Sequence, residues 1–268
     1  MRSAAEPGQG GARPVLVACG VRREAQIAEA VGGVVAVAGG GDGAWLEARL
    51  DALARTGAAG VMSFGLCGAL VPELGVGDTV IGNEGDADWI EAVRATLSSE
   101  CGRRKCEPQA SKGERGDVSF ELRPLPHPGA ARLSLSRSRG RGLVGAVHSH
   151  GTLALSFEDK AALHAATGAI TVDMESHIAA RVAARHGLPF GCLRVVSDTA
   201  ADTLPPAFAV AMRRGGGTDV GAMLRSLATH PGQIPAFAHA SANAVRALRR
   251  LELLGRLLGP RLGLPDLR

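Results

Sequence analysis

Short apolar runs alternate with amphipathic stretches of roughly ten residues along most of this chain, and that alternation restricts the fold more than any other feature. "PVLVACG" at Pro14 to Gly20 is an apolar run closing on glycine, and the REAQIAEAV that follows has helical periodicity. Trp45 to Arg55 is a second amphipathic helix, leading into "AAGVMSFGLCGAL", which reads as a strand breaking into a Gly-rich bend. "GVGDTVIGNE" is a turn and a strand, and "GLVGAVHSHG" another strand. Glu158 to Thr167 and Ser176 to His186 are helices, while "GAITVDME" and "PFGCLRVVSD" are strands. Strands separated by helices pack as a mostly parallel sheet. The expected class is therefore α/β: a single domain with a central, mostly parallel mixed sheet flanked by helices.

With 268 residues and 46% hydrophobic content, the chain can bury a large core, but only 3% is aromatic and Tyr is absent. Ala, Val, Leu and Gly must fill the interior. Residues 1–13 have no apolar stretch of signal-peptide type and read as a disordered lead. The domain proper is expected over 14–240, with a mobile insertion at about 100–128 that is rich in Arg, Gly, Glu and Pro. Residues 241–268 form an amphipathic helix and tail, apolar at Ala244, Leu248, Leu251, Leu254 and Leu258, with Arg246, Arg249, Arg250 and Arg256 off that stripe. Such a helix packs on its own domain or a partner subunit, or lies on an anionic membrane surface.

The formal charge of +4 is too small for a nucleic-acid surface, and no recognition motif for DNA or RNA is present. Of the five cysteines, Cys19, Cys67 and Cys192 sit in apolar runs and read as buried thiols in a reducing cytoplasm. Cys101 and Cys106, with His127 beyond, fit no standard zinc spacing. No run of about 18 apolar residues suggests a membrane span. His148, His150 and His177 have no spacing that argues for a metal or a triad.

Ligand sites in parallel sheets lie at the carboxyl ends of the strands. That directs attention to the loops at Gly20, Phe64 to Gly68, Ser149 to Leu155, Met174–Glu175 and Ser197–Asp198. A parallel arrangement would bring Glu175 and Asp198 to one rim. Taken singly, Asp198 could be a turn former or helix cap, Glu175 a first-turn helix charge, Glu24 a solvated helix residue and Met174 core filler. Gly65 and Gly68 could simply permit a tight turn.

"FGLCGAL", "PELGVGDTVI", "VDMES" and "RVVSDTA", in that order, resemble the superfamily of nucleoside phosphorylases and nucleosidases that includes methylthioadenosine/S-adenosylhomocysteine nucleosidase. The resemblance spans about Val15 to Ala200 apart from the insertion. Within it, "SFGLCGAL", "DMESHIAARVAARHGLPF" and "LRSLATHPGQIPA" are most similar to the hopanoid-associated phosphorylase or nucleosidase branch. That likeness implies removal of adenine from adenosylhopane in hopanoid biosynthesis. It also implies a homo-oligomer taking a lipid-tailed nucleoside, cytoplasmic or peripheral at the inner membrane face, with no metal or redox cofactor.

The resemblance assigns roles residue by residue. Asp198, oriented by Ser197, would share a proton with adenine N7 as general acid. Glu175 would accept hydrogen bonds from the ribose diol, with Met174 packed against the sugar. Gly65 and Leu66 would line the substrate site, and backbone around Thr152 and Leu153 would read the base, where this chain has no aromatic residue. Glu24 matches the carboxylate that activates water in the hydrolytic branch. Gly20, Arg22, Arg23 and the helix N-terminus are the candidates for holding phosphate as a second substrate. The phosphorylases' Asp-Pro turn is absent, and Ser63 and Leu66 stand where phosphate ligands are usual, so water is favoured as nucleophile. Phosphorolysis of the same substrate, a soluble methylthioadenosine or S-adenosylhomocysteine nucleosidase, and a nucleoside-binding module without chemistry are the other readings.

Overall fold

The computed structural model describes residues 13–103, 142–149 and 156–265. The expected lead, most of the expected insertion, and Thr152 and Leu153 lie outside the described residues. The elements run β1 (Val15–Cys19), α1 (Arg22–Glu29), β2 (Val34–Ala38), α2 (Gly43–Arg55), β3 (Gly60–Ala69), β4 (Thr79–Gly82), α3 (Ala87–Arg103), β5 (Leu143–Gly145), β6 (Val147–Ser149), α4 (Phe157–Thr167), β7 (Thr171–Asp173), α5 (Ser176–His186) and β8 (Phe190–Asp198). Helices α6 (Pro206–Ala211), α7 (Val220–Thr229) and α8 (Ile234–Leu258) follow. Helix α3 carries the chain to Arg103, past the point where the insertion was expected to begin.

The main sheet has the order β2-β1-β3-β8-β4-β5. Strands β2, β1, β3 and β8 are parallel neighbours, β4 runs antiparallel to β8, and β5 is parallel to β4. Strand β7 pairs antiparallel with the last residues of β3 and carries β6 alongside. The sheet is mixed and mostly parallel, as its largely apolar central strands require. All five residues of β1 are buried, the pattern of a strand covered on both faces.

Alternation along β1 divides the core. Val15, Val17 and Cys19 face Ile27 of α1, Trp89 of α3 and Leu251 and Leu254 of α8, whereas Leu16 and Ala18 face Leu46 and Leu50 of α2 and Ile178 and Val182 of α5. Each fully buried Leu contributes about 1.5–3 kcal/mol of transfer free energy. Helix α8 belongs to this core. Its Ala247, Leu251, Leu254 and Leu258 are buried, and Leu248 packs against them. The stripe that would meet a bilayer is thus committed to the sheet. The helix begins at Ile234, so the expected boundary at 240 falls inside it.

Two expectations about strands need correction. Strand β3 does not bend at its glycines but continues through Gly65 and Gly68 to Ala69. Nor is β7 a parallel neighbour of β8; Gly68 of β3 opposes Val172 of β7 on one edge and Asp198 of β8 on the other. Between Cys67 and Gly68 the β3–β8 register shifts, leaving Ser197 as an extra residue on β8. Bulges of this kind re-aim side chains at strand ends.

Candidate active site

Three backbone N–H groups converge on the Glu24 carboxylate. Gly20 and Val21 donate to Oε2 at 2.7 and 2.9 Å, and Leu66 donates to Oε1 at 2.8 Å. Glu24 sits in the first turn of α1, where the helix dipole favours an anion. Its carboxylate therefore ties the end of β1 to the middle of β3. Burial pushes its pKa up, against the opposing pull of Arg194 and the three N–H groups.

This packing explains Gly65. A Cβ there would lie 2.8 Å from Arg194 Nη1 and 2.8 Å from the Glu24 carboxyl, so only a residue without a side chain lets the strand continue. Gly20 is held more loosely between Glu175 Oε1 and Glu24 Oε2, 3.1 and 3.3 Å from the same hypothetical atom. The two glutamates thus meet across Gly20.

Arg194, fully buried on β8, is the hub of this end. Its Nη1 donates to Leu66 O at 3.2 Å, and its Nη2 donates to Ser63 Oγ, lies 3.3 Å from Ser176 Oγ and is 3.5 Å from Glu175 Oε2. Nε is 2.6 Å from Asp173 Oδ2, an ion pair in which the carboxylate sits off the line of the N–H bond. Asp173 also accepts from the N–H of Ser176 at 3.1 Å, and from its hydroxyl. One guanidinium therefore serves three buried acids. Burial, with Asp173 and Glu24 adding to it and Arg194 opposing, pushes the Glu175 pKa up to about 8.

Four residues further along β8, about 13 Å at strand rise, Asp198 is buried at 6% exposure. Ser197 Oγ lies 2.8 Å from its Oδ1 and also 3.1 Å from Cys67 O. Lys160 Nζ donates to Oδ2 at 2.6 Å. Burial raises the Asp198 pKa, with Lys160 the main opposing influence. Gly68 is needed here too, because a Cβ would lie 2.9 Å from Asp198 Oδ2.

Beside Glu175 opens a cavity of about 330 Å³, lined by Gly39, Gly41, Ala44, Met174, Glu175 and His177 among others. Glu24 and Asp198 are not among its lining residues. His177 also contacts Ser149 Oγ through Nδ1 at 2.6 Å.

The structure thus gathers Gly20, Glu24, Gly65, Leu66 and Glu175, and it joins Ser197 to Asp198 on the same strand. Arg22 and Arg23 are not part of the cluster. Both are exposed, Arg22 donating to Gly215 O at 3.1 Å and Arg23 facing Glu252 at 3.9 Å, because α1 turns their side of the helix outward. The N–H of Gly20, a candidate for holding phosphate, donates to Glu24. Arg194, Lys160 and Asp173 escaped the sequence reading. A lone Arg inside the apolar run "CLRVV" was the available signal for the first. Among the described residues no group of three His, Cys, Asp or Glu could hold a metal ion, and no helix is long and apolar enough to cross a membrane.

A carboxylate at the end of a parallel strand, with further buried carboxylates and cations beside it, marks an α/β enzyme with a polar small-molecule site. The model of the Phosphorylase superfamily matches residues 12–229, and the chain belongs to that superfamily. No curated protein matches its sequence. Solved structures share the fold. A Helicobacter pylori 5′-methylthioadenosine/S-adenosyl homocysteine nucleosidase complexed with a pyrrolidine inhibitor is 13% identical, with 91% of this chain and 98% of that one covered and a TM-score of 0.50. The Campylobacter jejuni 5′-methylthioadenosine/S-adenosyl homocysteine nucleosidase is 12% identical, covering 91% and 100%, also at 0.50. Futalosine hydrolase of Helicobacter pylori is 12% identical, covering 91% and 99%, again at 0.50. At these identities the likeness is one of fold.

Proposed function

We propose that this protein hydrolyses the N-glycosidic bond of a 5′-substituted adenosine and releases adenine. The observation that carries the reading is the arrangement along β8: Glu24 and Glu175 meet at Arg194, and Asp198 with Ser197 stands four residues on. A nucleoside offers a purine at one end and a diol at the other. Asp198 gives a proton to adenine N7, so that the base leaves neutral. Glu175 accepts from the ribose hydroxyls, and the concentration of carboxylate near the sugar favours its developing positive charge. Glu24 takes a proton from the attacking water. Membership of the Phosphorylase superfamily and the name of the Campylobacter jejuni relative, a 5′-methylthioadenosine/S-adenosyl homocysteine nucleosidase, support this class of reaction.

Water is favoured over phosphate because the backbone N–H groups of Gly20, Val21 and Leu66 already hold an internal carboxylate. A phosphate dianion would have to displace Glu24 or sit against it. For the 5′ group, the resemblance of "DMESHIAARVAARHGLPF" to the hopanoid-associated branch supports adenosylhopane, with the protein acting as a homo-oligomer. Adenine release from adenosylhopane, methylthioadenosine and S-adenosylhomocysteine, each with and without inorganic phosphate, tests every part. Strict phosphate dependence overturns the hydrolytic step. Preference for either small thioether overturns the hopanoid assignment, and no release from any compound overturns the reaction class.

A further inference from the structure

The proposed reaction uses Asp198 but gives no role to its closest neighbour. Lys160 of α4 is fully buried at 0% exposure. Only three of the chain's 30 basic residues are lysines, the others being Lys105 and Lys112. A chain that otherwise relies on arginine keeps a compact ammonium at this point. Three acceptors surround Nζ: Asp198 Oδ2 at 2.6 Å, Thr199 O at 2.7 Å and Asp202 O at 2.9 Å. They match its three N–H donors in number, whereas the planar fork of arginine fits such a tripod poorly. Two of the three are carbonyls of the loop just beyond Asp198, so one atom fastens both the acid and the segment that carries it.

We propose that Lys160 is the positioning residue for Asp198, fixing Oδ2 in place and stabilising the aspartate that remains once the proton has passed to the purine. The inference rests on the reading of Asp198 as the acid. Burial by itself drives a carboxyl to retain its proton, and an acid that retains its proton cannot protonate a base. In the step, the Asp198 O–H bond breaks as N7–H forms, and the electrons of the glycosidic bond pass to the purine. Water adds to the sugar carbon and loses its proton to Glu24, from which solvent returns a proton to Asp198. Lys160 keeps all three of its protons throughout and neutralises the aspartate between turnovers.

Other groups also face the acid. Asp202 opposes ionisation, and His239 of α8 approaches Asp202 at 3.7 Å. Ser197 donates to Oδ1, and the buried Cys67 thiol of β3 feels the Asp198 charge. Among the described groups shown in contact with the carboxylate, the cation is Lys160.

Lys160→Met and Lys160→Arg in the full-length protein test the proposal, with adenine release measured against pH on whichever of methylthioadenosine and adenosylhopane the wild type cleaves. Lys160→Met is expected to lower kcat about 10- to 100-fold with KM little changed. The alkaline limb of its kcat profile should move up by about one pH unit or more, because the acid loses its counter-charge. Lys160→Arg should not restore the wild-type rate. An unmoved limb, with a rate loss matched by the unfolded fraction, overturns the assignment and leaves Lys160 as loop support. If neither variant folds, lysine-labelled wild-type protein provides three side-chain NMR signals. The buried ammonium should shift when adenine fills the site, and a signal unmoved at saturating adenine overturns the proposal. A wild type that releases no adenine sinks the functional reading instead, so the two failures are distinguishable.

Discussion

The two ends of the β8 site bury charge in opposite ways. Around Arg194, one guanidinium is shared by Asp173, Glu175 and Glu24, and burial leaves the surplus acid poorly compensated. Around Asp198, one carboxylate faces one ammonium at 2.6 Å, with a hydroxyl on its other oxygen. The first end is rich in negative potential and holds a proton that an isolated glutamate would release. The second is a matched pair whose acid is polarised but balanced. In the proposed reaction the surplus end suits a sugar that becomes cationic, and the matched end suits a group that must give up a proton and then rest as an anion. The difference teaches that carboxylates of similar burial acquire different chemistry from the number of cations they share.

Breaking either end separately would sharpen that contrast. The largest effect is expected at the matched end: Asp198→Asn keeps the shape and removes the acid, so adenine release should fall about 10³-fold. Binding of the substrate, followed by calorimetry, should be largely retained. At the surplus end, Arg194→Met strands Asp173, Glu175 and Glu24 without their cation. A loss of about 3–5 kcal/mol is expected in urea denaturation, the usual cost of removing one partner from a buried ion cluster.

Gly65→Ala inserts a methyl group 2.8 Å from both Arg194 and Glu24. It should destabilise by about 1–3 kcal/mol in the same assay, while Gly77→Ala, where nothing lies within 4 Å, reports the cost of a positive φ alone.

The last effect is a slope rather than a single loss. Glu175 has a folded pKa of about 8 against an ordinary 4.5, so the folded state holds the extra proton between those values. Its contribution to stability is complete below 4.5 and is lost as pH rises toward 8. Glu175→Gln cannot ionise. Its stability should therefore fall less over that window, by up to about 1.4 kcal/mol per pH unit, as read from denaturation midpoints at several pH values. An unchanged slope would mean that Arg194 compensates Glu175 fully and that the two ends do not differ.

The ends also differ in how legible they were. Glu175, Ser197 and Asp198 stood out because they lie at expected strand ends, and Glu24 through the resemblance to the superfamily. Arg194 stood inside a buried strand, and nothing local says that its partners lie on β7, α5 and β3. Lys160 was one polar position in the expected helix from Glu158 to Thr167, and nothing local marked it out. Gly65 and Gly68 were visible as glycines but not as places where side chains from other elements press on the backbone. The arginines next to Glu24 face away from it, since consecutive helical residues face different ways and burying Glu24 turns Arg22 and Arg23 outward.

The candidate site residues took their roles from the resemblance to a known superfamily; by itself the sequence determined the α/β class and the positions of most strands and helices. These follow from periodicity and capping, which act over a few residues and are written in consecutive letters. Tertiary structure alone decided that the apolar stripe of α8 belongs to the core, that β7 joins the sheet antiparallel on the end of β3, and which cation each buried carboxylate meets. Those outcomes depend on which buried charge finds which partner across 38 residues, as with Lys160 and Asp198, and on the desolvation that makes the match matter.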